Sequence, residues 1–325
     1  IFERMGIFTR IISVPFKPES IQWNLVDKLI VEIQDDSYDI LLQPQFSKFP
    51  LADMLAAAVK CNRRVAIESP LQCGNSSATW TKLAHHLYQQ VIPYPRGDVS
   101  EFDYYGAFVR GLCMPDYQTE MPSLPYGKQS FIETPYFVLF PGASQNLKVW
   151  PADRFAKIVE HIYNRTGLTC VILGTRSEQG ISESVKRCLN AVPSILIIDL
   201  TGKTSVSDVI DIIGNAKLVV ANDSSGVHIA AATRTPVVAT VGGWLYGRFL
   251  PYHIENHHSG EPLPLEAHAT VPCFRCKWVY NTILRDNSEC LHSWERDIPC
   301  ICIEKITYEQ MEELVDRVID TYVLC

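Results

Sequence analysis

Between two apolar runs, the stretch ANDSSGVHIAAATRTPVVATVGG (residues 221–243) gathers an acid, two hydroxyls, a glycine and a histidine. Asp223, Ser224, Ser225, Gly226 and His228 are residue types suited to holding an oxyanion. Leaving the run KLVVA, the chain turns at Asn222 and Asp223, and Ser224 or Ser225 is expected to cap the next helix by accepting from its free N–H groups. Those donors and the positive end of the helix dipole make a site for an anion, most simply a phosphate. Asp223 would repel a phosphate if aimed at it, so its expected partners are backbone N–H groups, a ribose hydroxyl or the Lys148 ammonium. His228 falls in the first helical turn, where the dipole disfavours an imidazolium, and a neutral ring donating one hydrogen bond is expected. Taken alone, the stretch reads equally well as a capped turn with a satisfied histidine.

A second stretch, PGASQNLKVWP, has the same construction: small and hydroxyl residues, including Ser144, and then Lys148 just before a helix. The elements that must position both loops follow from periodicity. From residue 131, TPYFVLF, CVILGT, ILIIDL, LVVAND and PVVATVGG read as buried strands. Between them, WPADRFAKIVEHIYNRTG, ISESVKRCL, VSDVIDIIGNA and VHIAAAT read as helices, the first with Phe155, Ile158, Val159 and Ile162 at helical spacing. Five strands alternating with four helices predict a parallel sheet covered on both faces, a doubly wound Rossmann-like domain. Ligands on such sheets sit beyond the carboxyl ends of the strands, here PGAS, LGTRSE, LTGKT, NDSSG and VGGW. Two anion-suited loops on one rim, without a GxGxxG fingerprint after any strand, suggest a nucleoside diphosphate bound outside the dinucleotide-oxidoreductase scheme.

The front of the chain is less regular but also α/β, with helices over SIQWNLVDKLIVEIQ and PLADMLAAAVK and strands over YDILLQP and RRVAIE. The Pro-rich stretch MPDYQTEMPSLPYGKQ reads as a linker, and residues 252–272, rich in His, Glu and Pro, read as loop. The 325 residues, 47% of them hydrophobic, suffice for two globular domains. A net charge of −7 argues against a general nucleic-acid binder. No apolar run reaches the roughly 18–20 residues of a membrane helix, and no signal peptide is read at the start, so a cytoplasmic protein is expected. The 11 cysteines are odd in number and scattered, which suits reduced thiols better than a secreted disulfide framework.

PGAS, K.WP...F, VILGTRSE, DLTGKTSVSDVIDIIGNAKLVVANDSSGVHIAAA and TPVVATVGG resemble, in order and spacing, the nucleotide-sugar half of glycosyltransferase family 9, the ADP-heptose:lipopolysaccharide heptosyltransferases. The strong likeness covers residues 131–245. It implies a GT-B arrangement of two Rossmann-like α/β domains: a partial acceptor-side domain over 1–125, a nucleotide-sugar domain over 131–262, and a Cys-rich segment with a C-terminal helix over 263–325. By the resemblance, Ser144 and Lys148 meet the phosphates, and Asp223, Ser224, Ser225, Gly226 and His228 form the signature that grips the sugar nucleotide. Thr201, Gly202 and Thr204 would line the nucleotide pocket, and Glu178 would contact the ribose. The family spacing from acid to histidine is kept, but Ser225 stands where glycine is usual and Gly226 follows one place later.

The implied chemistry is inverting transfer of a heptose or similar sugar from an ADP-linked or similar donor to a lipopolysaccharide-core or other cell-envelope glycan. It needs no cofactor or metal, and leaves room for peripheral contact with the inner membrane surface. The family's general base is an aspartate in a glycine-rich loop near the N-terminus. No match to it is found; Gly97-Asp98 reads as an ordinary turn and helix cap, and the abrupt start at Ile1 places the expected base upstream. Two alternatives stay open: a non-catalytic nucleotide-sugar-binding protein, which the missing motif favours, and another GT-B enzyme such as a nucleotide-sugar epimerase, which would require an acid and base pair facing the donor that the sequence does not identify. Finally, Cys273, Cys276, Cys290, Cys300 and Cys302, with His292 nearby, have the look of a zinc site but lack the second tight pair. Unmetallated thiols or a local disulfide are expected there.

Overall fold

The computed structural model describes residues 5–12, 23–34, 36–45, 47–48, 50–68, 71–72, 86–95, 97, 99–128, 132–189, 195–276 and 300–324. They divide into two compact units, one within residues 8–119 and one formed by residues 120–276 and 300–324 together with residues 5–7. In the first unit, helix α1 (Trp23–Gln34) precedes strand β1 (Ser37–Gln43), and helix α2 (Pro50–Ala58) precedes strand β2 (Lys60–Ile67). Strand β3 (Gln90–Ile92) and helix α3 (Glu101–Leu112) follow. Among the described residues the sheet runs β1-β2-β3, all parallel. Val26, Leu29 and Ile33 recur at helical spacing on α1 and are buried. The Tyr104 hydroxyl donates to the carbonyls of Gln45 and Glu68, tying α3 to the sheet rim. The start of α3 is capped by Ser100 with Asp103, and Gly97 supplies a turn at φ +108; Asp98, read as part of a helix cap, lies outside the described residues.

The second unit contains strand β4 (Tyr136–Phe140), helix α4 (Ala152–Thr166), strand β5 (Thr169–Ile172), helix α5 (Gln179–Leu189) and strand β6 (Ile197–Asp199). It continues with helix α6 (Val206–Gly214), strand β7 (Val219–Asn222), helix α7 (Ser225–Thr233), strand β8 (Val237–Thr240), strand β9 (Leu265–Ala267) and helix α8 (Tyr308–Val318). The strand order is β9-β8-β7-β4-β5-β6, parallel throughout. Counted from the first strand of this unit, that is 3-2-1-4-5-6, the doubly wound dinucleotide-domain order, whose direction of winding reverses between β4 and β7. Residues 252–272, expected as loop, contain the sixth strand. Leu265–Ala267 is too short to show a period, and only pairing with Val238–Thr240 makes it a strand.

The four expected helices of this unit are present, and Gly167 ends α4 in the left-handed region at φ +68. Between the sheet and α4, α5 and α8 lies the main core, built on Phe137, Leu139, Trp150, Phe155, Ile158 and Ile162. The segment expected as a linker is in part bound to this unit: the Leu124 N–H donates to the Ala232 carbonyl, and the Gly127 N–H to Asp211. Arg234 at the end of α7 donates to the Pro122 carbonyl and pairs with Glu261. Among the described residues no helix is long and apolar enough to cross a membrane.

Candidate functional site

At the reversal between β4 and β7, two chain segments leave adjacent strands at their carboxyl ends, and a crevice opens between them. The loop after β4 runs Pro141–Pro151 and carries a single 3-10 turn, Asn146–Lys148. The loop after β7 is two residues long, Asp223 and Ser224, before α7 begins. A cavity of about 550 Å³ fills the crevice, within the ordinary range for small-molecule sites of about 300–1,000 Å³. Ser144 and Lys148 line it from the first loop, Asp223, Ser224, Ser225 and His228 from the second, and Thr175, Ser177 and Glu178 from the loop after β5. Phe140 and Phe249 supply apolar wall.

Asn222 holds the two loops in register. Fully buried at the end of β7, it accepts from the Trp150 N–H (3.0 Å) and the Thr240 hydroxyl (2.9 Å) through Oδ1. Its Nδ2 donates to the carbonyls of Pro141 (2.6 Å) and Gly142 (3.4 Å). One amide thus joins β7, β8, the loop bearing Lys148 and the entry to α4. From the other side, the Cys300 N–H donates to the Leu147 carbonyl and the Trp150 indole to the Ile306 carbonyl. The lysine loop is therefore fixed by the core before any ligand arrives.

The start of α7 departs from the sequence expectation. Ser224 occupies the N-cap position with extended backbone, but its side chain accepts no capping hydrogen bond, and Ser225 is already the first helical residue. The Ser224 Oγ is buried without a hydrogen-bond partner. By contrast α6 carries a complete Ser205–Asp208 capping box and α8 a Thr307–Gln310 box. The helix end that faces the cavity is thus left without a side-chain cap, with amide donors available to an anion. Gly226 serves packing: a Cβ there would stand 2.9 Å from Phe140 Cγ, so glycine lets α7 press against the end of β4.

Charges in the cavity modify one another. Burial draws the Lys148 ammonium below its usual range, opposed by Asp223 and reinforced by Arg248. Burial pushes the Asp223 carboxyl up, opposed by Lys148, His228 and Arg248. Desolvation also lowers His228, although 37% of its side chain stays open, and Asp223 opposes this. The His228 Nε2 lies 3.9 Å from Asp223 Oδ1, beyond hydrogen-bond reach, while Nδ1 is 2.7 Å from the Tyr252 hydroxyl. The site therefore offers a cation, an uncapped helix end, hydroxyls and a weakly basic imidazole, a set matched to a phosphate group.

Not every expected residue lines the cavity. Thr201, Gly202 and Thr204 lie one strand further out, after β6, and the first two abut the loop after β5. The Gly202 N–H donates to the Gly174 carbonyl, and its φ of +72 and a 2.9 Å approach to Arg176 Cα leave no room for a side chain. Glu178 does line the cavity, but its Oε2 accepts from the Thr175 N–H and hydroxyl, leaving Oε1 over Gly142. Asn222 and Tyr252 are additions to the expected set. A polar amide closing the apolar run LVVA was the signal for the first; Tyr252 comes from a stretch without periodicity and gave none. Of the cysteines, Cys290 lies outside the described residues, as does His292. Cys300 and Cys302 are core residues, Cys276 packs against the same core, and among the described residues no cluster of His, Cys, Asp or Glu forms a metal site.

Comparison with known proteins bears on the family and the fold. The family model for glycosyltransferase family 9 (heptosyltransferase) matches residues 102–271. Over 111 residues the chain is 32% identical to lipooligosaccharide heptosyltransferase 2 of Haemophilus influenzae, covering 34% of this chain and 32% of that protein. The match thus spans about a third of that relative's length. In fold, it is similar to the structure of Escherichia coli ADP-heptose lipopolysaccharide heptosyltransferase II, with TM-score 0.59 and 17% identity over 91% of this chain and 80% of that one. A family 9 glycosyltransferase of Veillonella parvula gives TM-score 0.61 and 16% identity over 91% of this chain and 78% of its own.

Proposed function

This chain belongs to glycosyltransferase family 9, and from that premise we propose that it transfers a heptose or similar sugar from an ADP-linked donor to a hydroxyl of a lipopolysaccharide-core or related cell-envelope glycan. One observation carries the reading: at the winding reversal, Lys148 and an uncapped helix N-terminus face one cavity. In the step, the acceptor hydroxyl gives up its proton to a base or to solvent as its oxygen attacks the anomeric carbon from the face opposite the diphosphate. The carbon–oxygen bond to the diphosphate breaks, its electron pair stays on the departing group, and configuration inverts. Lys148 and the amides of α7 meet the charge that builds there, so a metal is not required by this reading. Ser144 and Ser224 bind phosphate oxygens, and Glu178 reaches the ribose through its remaining oxygen. Such a donor and such an acceptor fit a cytoplasmic protein working against the inner membrane surface.

A second reading, a non-catalytic nucleotide-sugar binder, draws support from the two carboxylates of the cavity. Asp223 is buried and Glu178 is engaged by Thr175, so neither is set to take the acceptor proton. Titration calorimetry with ADP, UDP and GDP, followed by an ADP-release assay with ADP-heptose and core acceptor, separates the readings. Preference for ADP with turnover is expected. Binding without turnover favours the second reading, and no binding of any nucleoside diphosphate overturns both.

A further inference from the structure

His228 sits between two rings. Tyr252 lies parallel to it within 3° at 5.9 Å between centroids, and Phe249 meets it edge-on at 5.9 Å. Tyr252 is not part of the cavity wall, whereas His228 and Phe249 are. The link between tyrosine and histidine is the 2.7 Å contact from the hydroxyl to Nδ1. Two proton arrangements satisfy that contact. With the proton on Nδ1, the imidazole would donate to the tyrosine oxygen, and the lone pair of Nε2 would face the Asp223 carboxylate at 3.9 Å. Two electron-rich atoms would then oppose each other at the buried end of the cavity. With the hydroxyl donating to Nδ1, Nε2 carries the hydrogen and turns it toward Asp223 and the cavity. The second arrangement is the favoured one.

We infer that Tyr252 is a positioning residue: its hydroxyl donates to His228 Nδ1 and fixes the imidazole as the Nε2–H tautomer, a neutral donor directed at the anion the cavity holds. Burial, with Asp223 adding to it, raises the Tyr252 hydroxyl so that it stays a donor across the physiological range. The 3.9 Å gap between Nε2 and Asp223 Oδ1 is too long for a direct hydrogen bond, so the N–H remains available to a ligand oxygen. The ligand part of the inference rests on the proposed donor site; the tautomer part does not.

The test is nitrogen NMR of 15N-histidine-labelled protein, assigned with His228→Gln, at pH 7 and without ligand. His228 is expected as the Nε2–H tautomer, and Tyr252→Phe is expected to produce a mixture while the other histidine signals hold. An Nδ1–H tautomer in the parent protein, or an unaltered tautomer in Tyr252→Phe, overturns the inference. With ADP as the probe, Tyr252→Phe should weaken binding about three- to tenfold, the worth of one hydrogen bond. It should cause no further loss in the His228→Gln background, and an equal loss there would also overturn the role through histidine. A fixed tautomer in a protein that does not bind ADP supports the positioning role and refutes the donor-site reading instead.

Discussion

Lys148 is the cavity residue whose removal is most informative. Burial already draws its ammonium down, which means its charge is held at a cost that a bound phosphate would offset. Lys148→Ala should therefore weaken ADP binding by about 1.5–3 kcal/mol, roughly ten- to 150-fold, as loss of a charge-assisted hydrogen bond does. Calorimetry on folded protein checks this, with circular dichroism to show that the fold persists. At this scale the sequence was informative wherever a short loop joins a strand to a helix. Ser144, Lys148, Asp223, Ser224, Ser225 and His228 could be read as neighbours because sheet topology brings strand ends together. Capping was harder to read, since serine before a helix prefers to cap it and only the fold shows that the Ser224 side chain does not. Apart from the Thr240 hydroxyl, the partners of Asn222 are main-chain atoms, which any sequence supplies and none announces.

Packing of single elements sets the cavity's shape. The approach of α7 to β4 depends on Gly226, and a methyl group there would meet Phe140 at 2.9 and 3.0 Å. Gly226→Ala should cost about 1–3 kcal/mol by overpacking, and should weaken ADP binding as well, because the helix end moves with the helix; thermal melting and calorimetry read the two effects. At the end of β6, Asp199 accepts from Lys186 (2.6 Å), Ser182 (2.8 Å) and the Thr201 N–H (3.0 Å). Burial works against its charge, but these donors hold the carboxyl well below its ordinary value near 3.8. A lowered folded pKa gives stability that is full above the unfolded value and lost as pH falls through the folded one. Asp199→Asn should accordingly lose about 1–2 kcal/mol at pH 7 and show a flatter decline in Tm below pH 4 than the parent. Five strands and four helices of the second unit were legible from period and length. The sixth strand was not, because three residues carry no period and pairing alone defines them.

For the molecule as a whole, the C-terminal segment is part of the second unit's core. Cys302, Ile303, Met311, Val315, Val318 and Ile319 are buried in it, and Asp316 pairs with His161 and Arg165 of α4. Each fully buried aliphatic side chain contributes about 1.5–3 kcal/mol, so the set rivals the roughly 5–15 kcal/mol that holds a domain together. Removing residues 300–325 should abolish the cooperative thermal transition of that unit, as followed by circular dichroism. The helix was expected only through the family resemblance, and its place against α4 was not legible, since the contacts bridge about 150 positions of sequence. Trp150 carries the further consequence. Its amide N–H ends on Asn222 and its indole on the Ile306 carbonyl, with the Cys300 amide closing on Leu147 beside it. None of these hydrogens lies in the cavity wall, yet each can exchange with solvent only when the seam around the lysine loop parts. Saturating ADP should slow deuterium uptake at the Trp150 and Cys300 amides together, making these two buried hydrogens a clock that runs at the pace of the ligand.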